Sequence, residues 1–440
     1  MRRSLVSIAL VASLLEPSCR RGGSSQRGTK VGFAANAGMV ADPARGLVYI
    51  GDPTAGRVLA LQAKTGDQLY EALVGGSIGG LALDECADHL YVAVPDGSRI
   101  DVFSCDTFTR TSTLRLGTPP FALAPGVNGH LLAVTGRALI DLDPVALTTT
   151  TLKPAVDLHA HLCSDRWGTA AWLAESSGGE IVVSRFDLTD LSQPPIVSAP
   201  ASMFGEEAGI AASFDGSRFY VATNSTDGVY VLDGATLAAL PTLPIGPGLA
   251  AVAVNSTGTR MTYTDGTPLI ESINLDQFAP GHDLFASTSI AERGLIFGSN
   301  NQSLLVHGLN QTIAPYDTFA VHMDAPASVR QGHDYTMTID GAPGARWLLF
   351  ASLVPGYTYI DPPTAVDPRF LDIDASGGLT ILISGTLDAS GHDELSDTIP
   401  TGLTQSIDVV LQIAQIDGNG KAAISVSNPI VVRFLDNDCP

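Results

Sequence analysis

The chain has 440 residues, of which 45% are hydrophobic and 16% are charged, so it can bury a large core and is too long for one ordinary compact domain. Its 45 glycines, 27 prolines and 6% aromatic residues favour many short strands joined by turns over long helices. The formal net charge of −21 would repel a polyanion such as DNA or RNA over most of the surface. We therefore expect an all-β protein of two domains that does not bind nucleic acid.

Residues 1–30 have the pattern of an export signal followed by a tether. Two arginines precede an apolar stretch from residue 5 to residue 15, a length typical of a secretory signal and too short for a membrane-spanning anchor. In the segment EPSCRRGGSSQRG that follows, Cys19 stands where bacterial lipoproteins are cleaved and acylated. Ordinary cleavage near the same place is the alternative, because the three residues before Cys19 depart from those that lipoprotein sites favour. We expect a protein in the periplasm, at the outer membrane or outside a bacterial cell, with a membrane contact only through a lipid on Cys19.

An apolar strand that follows a polar turn recurs with a period near 42 residues, in copies such as LVYIGDP, HLYVAVPDG and RFYVATNSTDG. The matching positions are Tyr49, Tyr91, Leu132, Ala171, Tyr220, Thr262 and Leu305. Each unit has the pattern of four short strands, which is the signature of a β-propeller blade, and one blade cannot bury both of its faces alone. Residues 31–322 are therefore predicted to form a seven-bladed β-propeller.

Two stretches of this region depart from the repeat. The segment KVGFAAN, residues 30–36, is placed to complete the last blade with a borrowed strand, because closure of the ring removes open sheet edges; a flanking loop is the alternative. The interval between Ala171 and Tyr220 is longer than the others, and we interpret SRFDLTDLSQPPIVSAPASM, residues 184–203, as a surface insertion in the fourth blade.

Two cysteines of the second unit could form a disulfide. Cys86 and Cys105 flank the predicted hairpin DHLYVAVPDGSRIDVFS, whose antiparallel pairing would bring its ends together. Export to an oxidising compartment permits such a bond. Unpaired thiols are the alternative, and Cys163 and Cys439, which are far apart in sequence, are expected to be unpaired.

The strongest metal-like pattern is LHAHLC, in which His159 and His161 stand two residues apart on a predicted inner strand. Side chains two apart on a strand point to the same face, and imidazoles bind zinc or copper. Two histidines are an incomplete ligand set, and no third histidine stands at a comparable inner-strand position. We therefore expect no cofactor, with a transition metal at His159 and His161 as the alternative.

No Gly-x-Ser-x-Gly elbow is present, so the sequence shows no nucleophile motif. Charged residues do stand near the predicted rim of the propeller, where they could line a tunnel mouth or could be ordinary solvated turn residues. These residues are Asp165, Arg166, Glu206, Glu207, Glu292 and Arg293.

The segment YVATNSTDGVYVLDGAT resembles the repeat of the YVTN family of bacterial extracellular seven-bladed propellers. Tyr220, Val221, Thr223 and Asn224 carry the name motif, with Ala222 inserted, and YVAVPDGSRIDVFSCDT is a weaker copy. The resemblance covers roughly residues 31–320 and implies the propeller fold. It implies little about function, because the wider group includes surface proteins, uncharacterised binding proteins and lactonase-like enzymes.

The period stops after about residue 325, and residues 326–440 are predicted to form a small β-sandwich domain. Alternating apolar runs such as HDYTMTIDG and ARWLLFASLVPG are separated by turn signals about every ten residues. Residues 372–378 and 417–420 resemble calcium loops but lack the terminal Glu, so structural calcium is the alternative to plain turns. We expect this domain to present or dock the propeller, with a stabilising appendage as the alternative.

Taken together, these patterns predict a non-catalytic, exported binding or scaffold protein of the cell envelope. Propellers commonly bind through the variable loops on one face, and we expect a protein or carbohydrate partner there. The alternatives are a lactonase-like hydrolase at the tunnel mouth and a metal-dependent oxidoreductase built around His159 and His161. Fold analogy alone cannot choose among them.

Overall fold

The computed structural model describes residues 38–42, 45–84, 88–136, 138–157, 160–165, 168–177, 180–197, 207–213, 216–223, 228–243, 245, 248–255, 259–275, 284–286, 290–297, 303–308, 312–317, 322–326, 328–353, 355–359, 370–373, 380–399, 407–416 and 424–435. Nearly all of these residues lie in strands or in the turns between them. Two single-turn 3₁₀ helices lie at Pro95–Gly97 and Val127–Gly129.

The strands before residue 318 form seven antiparallel sheets in which the strands follow one another in chain order. The first three sheets contain β1 (Met39–Asp42), β2 (Leu47–Asp52), β3 (Arg57–Gln62) and β4 (Gln68–Leu73); β5 (Leu81–Leu83), β6 (His89–Val94), β7 (Arg99–Ser104) and β8 (Thr109–Arg115); and β9 (Pro120–Pro125), β10 (Leu131–Thr135), β11 (Ala138–Asp143) and β12 (Thr148–Pro154). The next three contain β13 (His161–Ser164), β14 (Ala170–Ser177), β15 (Glu180–Asp187) and β16 (Ile196–Val197); β17 (Glu207–Ala212), β18 (Arg218–Thr223), β19 (Val229–Asp233) and β20 (Ala239–Leu243); and β21 (Ala251–Val254), β22 (Arg260–Thr264), β23 (Leu269–Asn274) and β24 (Leu284–Phe285). The seventh contains β25 (Ile290–Phe297), β26 (Ser303–Gly308) and β27 (Thr312–Asp317).

The sequence repeat corresponds to these sheets one for one. All seven matching residues, from Tyr49 to Leu305, lie in the second strand of their sheet. Strand pairing therefore follows the period of about 42 residues that the sequence shows, with Gly-, Asp- and Asn-rich turns ending each strand.

The innermost strands of the sheets form a closed ring. Each of β1, β5, β9, β13, β17, β21 and β25 lies beside the next, and β25 lies beside β1. Seven separate hydrophobic clusters fill the seven interfaces between neighbouring sheets. This arrangement is a seven-bladed β-propeller, as the sequence predicts, and each sheet is one blade.

The interface between blades 1 and 2 shows how a cluster is built. Tyr49 from the second strand of blade 1 is fully buried and stacks on Phe108 of blade 2, with ring centroids 5.7 Å apart. Leu90 and Phe103 complete the same cluster. Burying a side chain of this size contributes about 1.5–3 kcal/mol, so each interface supplies a substantial share of the stability.

Two expectations about departures from the repeat have different outcomes. The predicted insertion at residues 184–203 is partly wrong, because β15 continues through Asp187 and β16 at Ile196–Val197 is the outer strand of blade 4. The apolar residues Ile181 and Val183 of β15 pack into the interface with blade 5. This packing holds β15 in the blade, and the strand extends into the first residues of the predicted insertion. The segment at residues 30–36 lies outside the described residues.

The remaining strands form the C-terminal β-sandwich. They are β28 (His322–Asp324), β29 (Ser328–Arg330), β30 (Asp334–Asp340), β31 (Arg346–Ser352), β32 (Pro355–Tyr359), β33 (Phe370–Ile373), β34 (Thr380–Thr386), β35 (His392–Thr398), β36 (Ile407–Ile416), β37 (Ile424–Val426) and β38 (Ile430–Leu435). One sheet has the order β28-β30-β35, and the other has the order β29-β38-β36-β31-β34 with β37 beside β36. Strand β28 begins at His322, before the predicted start of this domain at residue 326. Among the strands that the structure describes, β32 pairs with β33 alone.

The core of the sandwich lies between its two sheets. Met337 and Ile339 from the smaller sheet pack against Trp347, Leu349 and Ile413 from the larger one. Alternation of buried and more exposed residues along β30 and β31 produces this single apolar face. One ion pair joins the two parts of the chain, between Lys64 Nζ of blade 1 and Asp340 Oδ2 of the sandwich, at 3.9 Å.

Candidate binding face

The propeller has two faces with different loops. The upper face is the side at which the innermost strands begin; it carries the turns between second and third strands, such as 53–56, and the connections between blades, such as 74–80. The lower face carries the turns between first and second strands and between third and fourth strands, such as 63–67. Lys64, which pairs with the sandwich, is therefore on the lower face.

Polar residues on the lower face mainly hold its turns in shape. In five blades the residue at or just after the end of the first strand caps the following turn, accepting a hydrogen bond from a backbone N–H three to five residues later at 2.7–3.1 Å. These capping residues are Asp42, Asp84, Asp165, Ser213 and Asn255. The side-chain oxygens satisfy turn amides that would otherwise lack a partner. We interpret this set as structural.

Blade 1 buries one of these carboxylates completely. The Tyr49 hydroxyl donates to Asp42 Oδ2 at 2.9 Å, and Arg45 Nη1 lies 3.2 Å from the same oxygen. Burial raises the pKa of Asp42, while the bonds from Tyr49 and Arg45 lower it. The group is thus a buried acid that needs both donors.

A histidine and carboxylate pair lies at the lower edge of blade 3. His130 Nδ1 is 2.8 Å from Asp141 Oδ2, and its Nε2 is 4.0 Å from Asp143 Oδ2. A catalytic triad would require a hydroxyl or thiol at hydrogen-bond distance from the second ring nitrogen. That nitrogen faces a second carboxylate instead, so this pair does not have the geometry of an activated nucleophile.

A group of polar residues lies on the upper face where blades 3 and 4 meet. Lys153 at the end of β12 pairs with Glu175 of β14, and its Nζ lies 3.2 Å from Ser184 Oγ. The Asp157 backbone N–H donates to Glu175 Oε1 at 3.1 Å, and the Asp157 side chain is exposed. We call Lys153, Asp157, Glu175 and Ser184 the 3–4 seam.

The connection that enters the 3–4 seam has an uncommon backbone conformation. Ala155 has φ of 61°, in the left-handed region that residues with a Cβ rarely adopt. Such strain persists only where the surroundings enforce it, and it concentrates at functional sites. Phe108, Leu147 and Leu237 also have positive φ, but they lie at equivalent positions of lower-face turns and reflect a repeated turn type.

His161 begins β13 beside this seam and is half-buried, whereas His159 lies outside the described residues. Within the part of the chain that the structure describes, no group of three His, Cys, Asp or Glu side chains could hold a metal ion. The structure therefore places His161 on the inner strand, as predicted, without bringing further ligands to it among those residues. The two calcium-like loops lie outside the described residues, apart from Asp372 and Ile373 in β33.

The charged residues predicted at the tunnel mouth lie in several blades, and some of them are outside the described residues. Asp165 follows the end of β13 and caps a lower-face turn through Thr169, whereas Glu207 begins β17 at the upper face. Glu292 and Arg293 lie within β25, and Arg166 and Glu206 are outside the described residues.

Two of the cysteines considered in the sequence, Cys105 and Cys163, lie among the described residues. Cys105 is buried, and burial raises the pKa of its thiol to about 12. Cys86 and Cys19 lie outside the described residues, so the disulfide and the lipidation stay predictions. Cys163 lies on β13 and packs against the cluster between blades 4 and 5.

Solved structures similar to this chain share its propeller. A chain of Kuenenia stuttgartiensis hydrazine synthase superposes with a TM-score of 0.52 at 10% identity, over 69% of this chain and 99% of that one. The β-propeller domain of Myceliophteria thermophila Cps50 (Swd1) gives 0.53 at 12% identity, over 66% and 99%. A chain of a mitotic checkpoint complex gives 0.55 at 13% identity, over 71% and 99%.

No protein-family model matches the sequence, and no curated protein matches it. At such low identities the likeness concerns the fold, and each solved chain is covered almost completely by about two thirds of this one. The fold and its blade interfaces define a β-propeller protein with a C-terminal β-sandwich. Among the described residues, no helix is long and apolar enough to span a bilayer.

Proposed function

We propose that the protein is an exported binding protein of the YVTN type, held at a bacterial cell envelope by its N-terminus, and that it binds a protein partner on the upper face. The observation that carries the proposal is the 3–4 seam, where Lys153 and Glu175 join two blades beside the exposed Asp157. Loops between rigid strands are the usual binding elements of such scaffolds. The positive φ of Ala155 in the same connection supports a role beyond simple chain reversal.

A protein partner is favoured over a carbohydrate by the side chains that are exposed. Saccharide rings stack on aromatic side chains, which combine a large apolar face with polar edges. Among the exposed large hydrophobic side chains of the described residues, the one aromatic is Tyr70, on the outer strand of blade 1 and away from the seam. The seam instead offers charged groups, which set orientation and specificity in protein interfaces.

The test compares two charge reversals of equal size on opposite faces. Asp157→Lys changes the upper face beside the seam, and Asp67→Lys changes an exposed lower-face turn of blade 1. We expect cross-linking of tagged protein in an envelope extract to recover the same partner with wild type and Asp67→Lys, and at least tenfold less of it with Asp157→Lys. Equal recovery of the partner by all three proteins would show that the upper face beside the 3–4 seam is not the binding site. Loss of recovery after glycosidase rather than protease treatment would identify a carbohydrate ligand.

Attachment to the envelope is tested separately at Cys19. Metabolic labelling with a palmitate analogue in a bacterial host should label the wild-type protein and leave Cys19→Ser unlabelled. An unlabelled wild-type protein recovered from the soluble periplasmic fraction would contradict the lipid anchor and leave the binding face to its own test.

A further inference from the structure

The outer strands of blades 1 and 2 leave an open groove between them at the rim of the propeller. Strands β4 and β8 belong to different sheets, and blades diverge toward the rim because they radiate from the central channel. All residues of β8 except Leu114 are exposed, and Tyr70 of β4 is 48% exposed. We call this space the 1–2 groove and define it by the residues Tyr70, Arg99, Asp101, Arg110, Thr113 and Arg115.

Strand register places these side chains on the facing sides of the two blades. Tyr70 pairs with Ala60, and Arg110 pairs with Phe103. Both partners belong to the hydrophobic cluster between blades 1 and 2, and cross-strand partners share a face of their sheet. The rings of Tyr70 and Phe103 both contact Phe108, with centroids 5.8 and 6.1 Å apart. An aromatic layer therefore lies at the base of the groove.

A buried carboxylate positions the arginines of the groove. The Asp101 side chain has no exposed surface. It accepts hydrogen bonds from Arg99 Nε at 3.1 Å, Arg110 Nη1 at 3.2 Å and Thr113 Oγ1 at 2.8 Å. Arg99 also donates to the backbone oxygen of Val74 at 2.8 Å, which ties the upper end of the groove to blade 1. The Arg110 side chain is 49% exposed, so its guanidinium keeps N–H donors that Asp101 does not use.

The groove carries more positive charge than its own carboxylate balances. Arg99 and Arg115 are directly opposite each other in the β7–β8 ladder, and like charges in that position are destabilising. With Arg110, the lining residues include three cations and, in Asp101, one anion. This excess runs against the net charge of −21 of the whole chain. A bound anion would offset it.

The neighbouring groove between blades 2 and 3 has a different composition. Its outer-strand positions face each other in the same way, because their partners Val102, Ile140 and Leu142 belong to the cluster between those blades. The residues at these positions are the uncharged Ser112, Thr151 and Thr149. The arginines are thus a feature of the 1–2 groove and do not follow from the repeat.

We propose that the 1–2 groove binds an extended acidic segment of a partner protein, with two carboxylates four residues apart. A β-bulge between Val102 and Phe103 leaves Arg110 and Arg115 four ladder steps apart, or about 13 Å at the usual strand rise. Acidic residues i and i+4 of an extended peptide have the same spacing and point to one side. Arginine pairs with carboxylates through two parallel N–H donors, and Tyr and Arg, as at Tyr70, are enriched among the residues that dominate binding at interfaces.

A short acidic segment fits this groove better than a long polyanion does. The chain outside the groove is strongly acidic, so an anionic polymer would be repelled beyond it. Asp96 lies at the upper end of the groove and accepts a hydrogen bond from the Ser77 backbone N–H, and Asp106 lies at the lower end and pairs with Arg45. These two carboxylates limit the bound segment to about the length of β8.

The test measures the binding of three labelled nine-residue peptides to the protein without its export signal, residues 20–440, by fluorescence anisotropy at low salt. The first has Glu at its positions 3 and 7 in a background of Thr and Val, and the second has Gln at both positions. The third has Glu at positions 3 and 6, which point to opposite sides of an extended chain. We expect the first peptide to bind about tenfold more tightly than the other two, and its affinity to fall as salt rises.

Arg115→Gln and Ser112→Glu are the matched pair of variants. Each lowers the net charge by one on β8, but Ser112 faces blade 3. Arg115→Gln should weaken binding of the first peptide about tenfold and Ser112→Glu should leave it unchanged. Arg115→Gln should also melt at or above the wild-type temperature, because it relieves the repulsion from Arg99.

Three results would overturn the proposal. These are equal binding of the three peptides, equal weakening by the two variants, and tighter binding of polygalacturonate than of the first peptide, which would identify an anionic polysaccharide as the ligand. The inference goes beyond the proposed function, because the 1–2 groove lies on the rim between other blades than the 3–4 seam. Asp157→Lys should leave binding of the first peptide unchanged, so the two proposals can fail separately.

Discussion

The buried pair of Asp42 and Tyr49 shows how a single side chain can matter to a large ring. Asp42 has no exposed surface, and its carboxylate depends on donors from Tyr49 and Arg45. Losing one partner of a buried polar group costs the desolvation of the group that remains. The stacking of Tyr49 on Phe108 does not require the hydroxyl, so the two contributions can be separated by mutation.

Tyr49→Phe is expected to lower the free energy of unfolding by about 1–3 kcal/mol, because it removes one donor to Asp42 and keeps the ring. Chemical denaturation of the purified protein measures the loss. Tyr70→Phe is the control, since this ring is half-exposed, and its effect should be below about 0.5 kcal/mol. Equal losses in the two variants would contradict the role given to the hydroxyl.

Cys105 should resist alkylation in the folded protein at pH 8. Burial and a pKa of about 12 leave almost no exposed thiolate, which is the reactive form. Mass spectrometry after iodoacetamide treatment should find Cys105 unmodified in buffer and modified in denaturant. If labelling in denaturant also requires a reductant, Cys105 is paired, and Cys86 is then the first partner to test.

Some residue roles could have been read from the sequence and others could not. The capping residues recur near the 42-residue period, so the positions 42, 84, 165, 213 and 255 were visible as a pattern. The contact of Lys153 with Glu175 joins different blades, and its residues are 22 apart along the chain without any shared motif. Its discovery required the three-dimensional packing of two blades. His161 was placed correctly on its strand, but its strand position gives no information about other ligands.

At the scale of strands, register was more predictable than strand ends. The residues of each second strand are buried on both faces of the sheet, so these strands appear in the sequence as continuous apolar runs. These runs made the repeat recognisable. The outer strands are polar and exposed, as in the TTTT run of β12, so neither propensity nor burial marks where they begin. This explains why β15 and β16 were partly assigned to an insertion.

A cross-strand pair in the sandwich should make its stability depend on pH. His392 of β35 lies directly opposite Asp340 of β30, and its Nδ1 is 2.8 Å from Asp340 Oδ1. The hydrogen bond with Asp340 raises the pKa of His392. A raised histidine pKa contributes stability that is fully present below the unfolded value of about 6.5 and is lost as pH rises through the folded value.

His392→Ala should therefore lower the melting temperature of the sandwich more at pH 5.5 than at pH 8.5. Asp340→Asn should give the same pattern, because it removes the other member of the pair. Thermal scans of the three proteins at both pH values provide the measurement. A loss that is equal at the two pH values would show that packing, and not the charge of His392, is responsible.

At the scale of the whole molecule, the two parts of the chain have separate cores. The sandwich cluster contains residues 323 to 434 alone, and the seven propeller clusters contain residues 39 to 306 alone. One contact that the structure describes between the parts is the partly exposed ion pair of Lys64 and Asp340, and no described hydrophobic cluster is shared by them. Exposed ion pairs contribute at most about 1 kcal/mol, so the two parts should unfold independently.

Calorimetry of residues 20–440 should therefore show two transitions, and a propeller of residues 20–321 should keep one of them within about 2 °C. The expectation follows because no described hydrophobic cluster is shared. A single cooperative transition, or a propeller that fails to fold without the sandwich, would indicate a larger interface than the described residues provide.

The all-β architecture and the number of blades followed from period and composition, because each blade repeats one buried pattern. The binding face did not follow, since loops carry little periodic constraint and their contacts are set by neighbours distant in sequence. Charge composition argued against nucleic acid, but it could not distinguish the two faces of the ring.

The seven shared clusters have a consequence for engineering. Trp172 of blade 4 stacks on Phe219 of blade 5, so part of the packing surface of each blade is completed by its neighbour. A blade transplanted from another propeller would have to fit two foreign partners at once, and a mismatch on either side would leave a cavity. The unit that can be exchanged in this molecule is therefore the interface between two blades. A redesign would replace one interface at a time around the ring.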